Sequence, residues 1–213
     1  MYKLYYGPGT AAFAPHMMLE EIGADFELAK VDVSKATPRD PDFLKLNPNG
    51  WVPVLLWEHG AIYECGAIVT FLCDRYPEFR LAPAANDADR GVFLQWLFFF
   101  SSSLQTAYQM TYHTDRFCES TADHDSVQQR SARRLHELWQ VVNDAIGDSN
   151  WMLGDRFSAA DIYLFMLTTW LSEEHNHPSV ENFPNVIRIV DAVVERPSVR
   201  KVYSSFIKER SEA

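Results

Sequence analysis

The sequence predicts an α/β domain followed by an all-α domain. Three observations lead there. The first third of the chain reads as βαβ and then ββα. Residues 77–87 hold two prolines and no periodicity, and beyond them apolar residues recur only at helical spacing. We therefore place the first domain at residues 1–77, a linker at 78–86 and a helical domain at 87–213.

Taken in order, residues 2–6 (YKLYY) read as a strand closed by the turn Gly7-Pro8-Gly9. Ala14, Met17, Met18 and Ile22 form a helical stripe ended by Gly23. Phe26 to Val33 alternates and is expected as a second strand, parallel to the first through the helical crossover. Asp42 to Leu46 reads as a short helix, Val52 to Trp57 as a strand, His59-Gly60 as a tight turn and Ala61 to Tyr63 as the return strand. Cys65, Ile68, Val69, Leu72, Cys73 and Tyr76 then follow helical spacing until Pro77. In the second half, Leu135, Leu138, Trp139, Val142 and Ile146 form one stripe, and Phe183, Val186, Ile187, Val190 and Val194 another. Ser158 and Asp161 fit a capping box at the start of a helix between them.

Composition narrows the function classes. The chain has 213 residues, of which 47% are apolar and 23% charged, and this is ordinary globular composition. A net charge of −10 gives no general attraction for phosphate backbones or anionic lipid, so neither nucleic acid nor membrane is expected as a partner. Arg130, Arg133 and Arg134 read as a solvated helix face. Cys65, Cys73 and Cys118 are expected as reduced thiols. Cys65 and Cys73 stand two turns apart on one helix, roughly 12 Å, which is too far for a disulfide. No signal peptide is apparent, and no run approaches the ~20 apolar residues of a membrane span, so a cytoplasmic protein is expected.

Two stretches bear on chemistry. Pro53 stands at the head of an apolar strand, where it withdraws a backbone donor. Either the Val52-Pro53 bond is cis, which turns the preceding amide and carbonyl outward for an extended peptide, or Pro53 is a plain strand-entry proline. Glu64-Cys65 opens a helix directly after a strand. It reads either as an anion-binding helix start beside a carboxylate that takes an ammonium, or as an ordinary acidic first turn.

The order strand, Pro-Gly turn, helix, Asn47-Pro48-Asn49-Gly50-Trp51-Val52-Pro53-Val54-Leu55, then Glu64-Cys65-Gly66-Ala67-Ile68 resembles the thioredoxin-like domain of glutathione transferases. GDRFSAADIYLF in the helical half is similar to that family's C-terminal capping box, and the likeness covers nearly the whole chain. YYGPGTAAFAPH and Gln95-Trp96-Leu97 point to the bacterial beta class.

The resemblance implies glutathione as co-substrate, no metal, a homodimer and a role in detoxification. It places Trp51, Val52 and Pro53 at the tripeptide, with the Val52 backbone pairing with the cysteinyl part. Glu64 and Cys65 would hold the γ-glutamyl end, and Lys35 would reach the glycyl carboxylate. It also implies a second-substrate pocket between the domains, with Phe13, Phe98, Gln105, Tyr108, Tyr112 and Trp170 as candidate walls.

The sequence departs from the beta class where the thiol would be activated. Ala11 and Ala12 stand where that class resembles Cys-Ser, Gln105-Thr106 where it has His-Lys, and Phe98 where it has asparagine. A thiolate needs a donor or cation nearby, so Thr10 is expected in that role, with Tyr6 second. His16 is expected to be structural, and His175-Asn176-His177 to be a loop and not a metal site. Cys65 in place of the family's serine is a weaker hydrogen-bond partner and a candidate reactive thiol.

The expected activity is conjugation of the glutathione thiol to small apolar electrophiles. The alternatives are a glutathione-dependent disulfide or peroxide reductase, and a non-catalytic glutathione-binding or regulatory protein.

Overall fold

The computed structural model describes residues 1–34 and 38–211, with side chains through Ser205. The first strand, β1 (Tyr2–Tyr6), runs into α1 (Phe13–Glu21) and then β2 (Phe26–Lys30). After α2 (Pro41–Leu46) come β3 (Val54–Trp57), β4 (Gly60–Tyr63) and α3 (Cys65–Arg75). Among the described residues these strands form one mixed sheet in the order β2-β1-β3-β4. β1 and β2 pair in parallel, as a βαβ unit requires, and β3 is antiparallel to both β1 and β4.

The period-2 pattern of β1 explains the two faces. Tyr2 meets Phe71 of α3 edge-on at 6.5 Å, whereas Tyr5 turns the other way onto Phe43 of α2 at 5.6 Å. Phe43, Val52 and Val54 form the core on that second face. At the end of α1, Gly23 takes φ +61, and Ala24 N–H reaches back to Leu19 O at 3.0 Å, which closes the helix.

β2 stops at Lys30 instead of reaching Val33. The carbonyls of Asp32, Val33 and Ser34 are taken by the Arg39 guanidinium, and Ser34 N–H is taken by the Asp32 carboxylate. The chain there is satisfied without a strand partner. β3 likewise begins at Val54 and not at Val52, because Pro53 has no N–H to donate; the Val52-Pro53 bond is cis.

The chain forms two compact units: Met1–Ala85 together with Val194–Ala213, and Asn86–Val193. The division expected from sequence placed everything after residue 86 in the helical domain. The structure sets the terminal helix α9 (Pro197–Ser211) with the first unit. There Arg196 pairs with Glu21, the Ser198 hydroxyl donates to the same carboxylate, and Lys201 meets Glu20 at 2.8 Å. Val199 and Val202 are buried beside them. The apolar spacing of a helix does not state which body it covers, so this docking is a tertiary outcome.

The second unit is helical: α4 (Arg90–Phe98), α5 (Gln105–Tyr112), α6 (His124–Ile146), α7 (Ala159–Thr168) and α8 (Pro184–Val194, whose last residue falls in the first unit). Phe99–Leu104 joins α4 to α5 as a π-helical stretch, with the Ser102 and Ser101 hydroxyls donating to Phe98 O at 2.7 and 3.2 Å. Trp139, Tyr108, Tyr163, Phe93, Phe100 and Phe183 are fully buried in this unit, each worth about 1.5–3 kcal/mol on removal from water. The expected capping box at the start of α7 is present, with Ser158 Oγ accepting Ala160 N–H and Asp161 accepting Ser158 N–H at 2.8 Å.

Candidate functional site

Register brings the sequence-predicted residues of the first unit to one end of the sheet. Tyr5 pairs with Val54 and Val54 with Tyr63. The chain leaving β1 at Gly7, the chain entering β3 at Val52-Pro53 and the chain leaving β4 at Glu64 therefore lie at the same edge. This is the carboxyl end of the parallel pair, where open α/β sheets bind ligands.

The turn after β1 is held by Gly7 O, which accepts Thr10 N–H at 3.3 Å and the Thr10 hydroxyl at 2.7 Å. Thr10 Oγ1 in turn accepts Ala12 N–H at 3.3 Å. A Cβ on Gly7 would lie 3.0 Å from Val33 Cγ2, so any larger residue there would need Val33 to give way. The expectation that Thr10 donates to a thiolate meets this geometry: its one hydroxyl proton is already given to Gly7 O. Ala11 N–H, beside it, has no partner among the described residues and lies one residue before Ala12, the N-cap at the positive end of α1.

Asn47 builds the next turn. Its side chain is buried, donates to Trp51 O at 2.7 Å and accepts Asn49 N–H at 3.1 Å, while Gly50 N–H returns to Asn47 O. Val52 packs its side chain into the core with Phe43 and Val54. Its backbone N–H and C=O make no hydrogen bond among the described residues. Trp51 stands partly exposed, with the Arg39 guanidinium carbon 5.2 Å from its ring centroid. Residues 35–37, Lys35 among them, lie outside the described residues.

Glu64 precedes α3 with φ 74 and ψ 121, which is costly for any residue but glycine, on the order of 1–3 kcal/mol. It is exposed and its carboxylate does not cap its own helix. Such strain persists where the surroundings over-determine it, which is common at binding sites. Ile68 N–H returns to Glu64 O, so the Gly66 and Ala67 amides are the open donors of the first turn of α3. Cys65 is only 3% exposed, so its thiol is buried and the reactive reading loses its access.

A cavity of about 290 Å³ in the first unit is bounded by Tyr6, the Gly7-Pro8-Gly9 turn, Phe13 and His16 on one side and by Lys201 and Val202 on the other. Tyr6 and Phe13 thus share one cavity. Burial, with a smaller push from Lys201 against a pull from Glu20, drops the His16 pKa to about 4, so its imidazole is neutral at pH 7. Its ring stands edge-on to Phe26 at 5.6 Å, a packing role.

The predicted residues of the second unit separate. Tyr108 is a core residue, 1% exposed, donating to Leu167 O at 2.9 Å and accepting Trp139 Nε1–H at 3.1 Å. Burial pushes its phenol pKa well up. It is therefore no pocket wall. Gln105 Oε1 accepts the Tyr163 hydroxyl at 2.7 Å, and Tyr112 donates to Trp170 O at 2.7 Å. Trp170 meets Tyr108 edge-on at 5.4 Å, and its indole Nε1 is buried without a partner among the described residues. Phe98 is 68% exposed.

His175 and His177 stand 5.7 Å apart by ring centre, and among the described residues no group of three or more histidines, cysteines or carboxylates is placed to hold a metal. His177 Nδ1 accepts Ser172 N–H at 3.3 Å, so Nε2 carries the proton and donates to Thr111 Oγ1 at 3.1 Å. Thr111 donates to Ser131, which donates to Ala107 O at 2.6 Å.

Sequence reasoning did not single out Arg39, which has no motif around it. Its placement before Asp40, the N-cap of α2, was the only local cue.

Comparison with known proteins agrees with this geometry. Residues 1–74 match the family profile for the glutathione S-transferase N-terminal domain, and residues 104–205 that for a glutathione S-transferase C-terminal domain. The chain is 31% identical over 205 residues to the glutathione S-transferase GstA of Escherichia coli O157:H7, covering 95% of this chain and 98% of that protein. It is 29% identical to a sphingomonad glutathione S-transferase solved in complex with glutathione, with a TM-score of 0.82 over 96% of this chain and 98% of that one. The bacterial beta-class enzyme of Sphingomonas chungbukensis is equally similar, at 29% identity and a TM-score of 0.82 over 96% and 98%. A mixed sheet with its open amides gathered at one end, joined to a helical unit and matched along nearly its whole length, places the chain in the glutathione S-transferase family, near its bacterial beta-like members.

Proposed function

We propose that this protein conjugates the thiol of glutathione to small, largely apolar electrophiles. The observation that supports this most is the convergence at one sheet edge of three kinds of group: the unpaired Val52 main chain, the open amides of α3 beside exposed Glu64, and Ala11 N–H at the start of α1. These complement a ligand that combines an extended peptide, an α-amino acid end and a thiol.

In this reading the Gly66 and Ala67 amides take the γ-glutamyl carboxylate, and Glu64 takes the neighbouring ammonium. Val52 N–H and C=O pair with the cysteinyl unit as a short added strand, between Trp51 and Pro53. Lys35 is assigned to the glycyl carboxylate. Cys65 contributes its backbone position at the helix start. The thiol lies against Ala11, where the N–H and the positive end of α1 favour the thiolate. Thr10 shapes the turn that presents this amide, and Tyr6 borders the neighbouring cavity. The thiol proton leaves to solvent. The sulfur then forms a bond to the electrophilic carbon, and either a leaving group departs with the displaced electron pair or the adduct takes up a proton. Orientation and thiolate stabilisation are the protein's contribution.

For electrophile selectivity we assign Phe13 in the first unit and Phe98, Gln105, Tyr112 and Trp170 in the second. A homodimer, a cytoplasmic location and a part in detoxification follow from the same reading. Three cysteines that form no disulfide support a reducing compartment.

The test is a calorimetric titration with glutathione followed by a conjugation assay on an aryl halide. Saturable binding with conjugation is expected. No binding at millimolar glutathione, or binding that supports disulfide reduction without conjugation, would overturn the assignment.

A further inference from the structure

Arg39 makes the densest set of main-chain contacts near the site. Its Nε–H donates to Gly50 O at 2.8 Å, Nη2 to Val33 O at 2.9 Å, and Nη1 to Ser34 O at 2.9 Å and Asp32 O at 3.1 Å. A Cβ on Gly50 would lie 3.1 Å from Arg39 Cγ, so glycine lets the aliphatic stem lie against the turn. The guanidinium carbon also lies 5.2 Å from the Trp51 ring centroid. One side chain therefore joins two stretches that no strand pairing holds. The first is residues 32–34, after β2, and the second is the turn that delivers Trp51 and Val52 to β3.

Only a planar fork of five N–H donors can address carbonyls on two separate segments at once. These four bonds all go to carbonyl oxygens, which argues for placement of main chain. We infer that Arg39 is a positioning residue for glutathione, fixing the turn that carries the Val52 main chain against residues 32–34 so that Val52 stays presented to the tripeptide. This rests on the function proposed above. It predicts an effect on glutathione binding, with the chemical step left alone, because the groups at Ala11 and on the electrophile side are not tied by Arg39.

The experiment compares the parent with Arg39→Lys and Arg39→Ala by glutathione calorimetry, steady-state conjugation of an aryl halide and thermal melting. Arg39→Lys keeps the charge and loses the fork. The expected result is a rise of about tenfold in the glutathione Kd and KM, with kcat at saturating glutathione within about twofold of the parent. Arg39→Ala should show a larger rise. If Arg39→Ala melts below the assay temperature, Arg39→Lys decides alone. Parent-like glutathione affinity in Arg39→Lys overturns the inference while leaving the transferase reading standing. A parallel fall of kcat, affinity and melting temperature also overturns it, because that is the signature of a merely structural residue. A parent that binds no glutathione overturns both readings, and the calorimetry of the unaltered protein identifies that case.

Discussion

Thr10 gives its hydroxyl proton to the carbonyl of Gly7 across 2.7 Å, and this bond decides what Thr10 can do. Its oxygen is also occupied, by Ala12 N–H. The residue closes the turn that leaves Ala11 N–H open. Thr10→Ala should therefore lower stability by about 1 kcal/mol, read as a lower melting temperature. The thiol pKa of bound glutathione should shift little, whereas Thr10→Ser should match the parent in both. A Thr10→Ala variant with full stability and a strongly raised thiol pKa would return Thr10 to the role of thiolate donor.

Glu64 combines a strained backbone with an exposed carboxylate. Glu64→Gly relieves the positive φ and should raise stability by about 1 kcal/mol in urea denaturation. The same variant should weaken glutathione binding by about tenfold or more, because the partner of the ammonium is gone. Glu64→Gln, which keeps the side-chain shape, should raise KM for glutathione with little change in kcat. Equal affinity in both variants would remove the carboxylate from the site.

Asp161 is buried under α7 and accepts Met152 N–H at 2.7 Å, Ser158 N–H at 2.8 Å and the Ser158 hydroxyl at 3.0 Å. Asp161→Ala leaves those donors without a partner in a dry place and should cost about 2–4 kcal/mol. Chemical denaturation reads this directly. A loss of less than ~0.5 kcal/mol would mean that the donors find other acceptors.

His177 links stability to pH. Burial, helped by nearby His175, lowers its pKa from the ordinary 6.5 to about 4. Between those values the unfolded chain holds more protons than the native one, so stability rises with pH through this window and falls on acidification. The cause is visible in the hydrogen bonds: protonated Nδ1 can no longer accept Ser172 N–H. His16, with its pKa also lowered to about 4, acts in the same direction. Asp161 acts oppositely, since burial raises its pKa to about 6 against the pull of its N–H donors, and its contribution fades as pH rises from about 4 to about 6. His177→Gln should flatten the acid limb of the stability profile without abolishing it. An unchanged limb would assign the titration elsewhere.

Local patterns were legible where chemistry and geometry span only a few residues. The alternation of β1 and the stripe of α1 closed by Gly23 each follow from spacing and one turn residue. The Ser158–Asp161 cap and the turn built by Asn47 are short-range in the same way. Val52-Pro53 was legible as an anomaly, a proline at the head of an apolar strand, but two readings stood until the backbone was seen. Glu64 was legible as an acid before a helix, while its strained φ was not, because no residue type announces it.

The sequence by itself determined the order of elements, the α/β and helical halves, and the family. These rest on periodicity, turn residues and short motifs, which act over a few positions. Tertiary structure alone decided that Arg39 clamps carbonyls of residues 32–34 to Gly50, that α9 docks on α1 through Glu21, and that Tyr108 lies in the core with both hydroxyl bonds filled. The physical reason is common to all three. A donor chooses its acceptor, and an apolar face its neighbour, only after distant segments have packed, and composition and spacing do not encode which surface arrives.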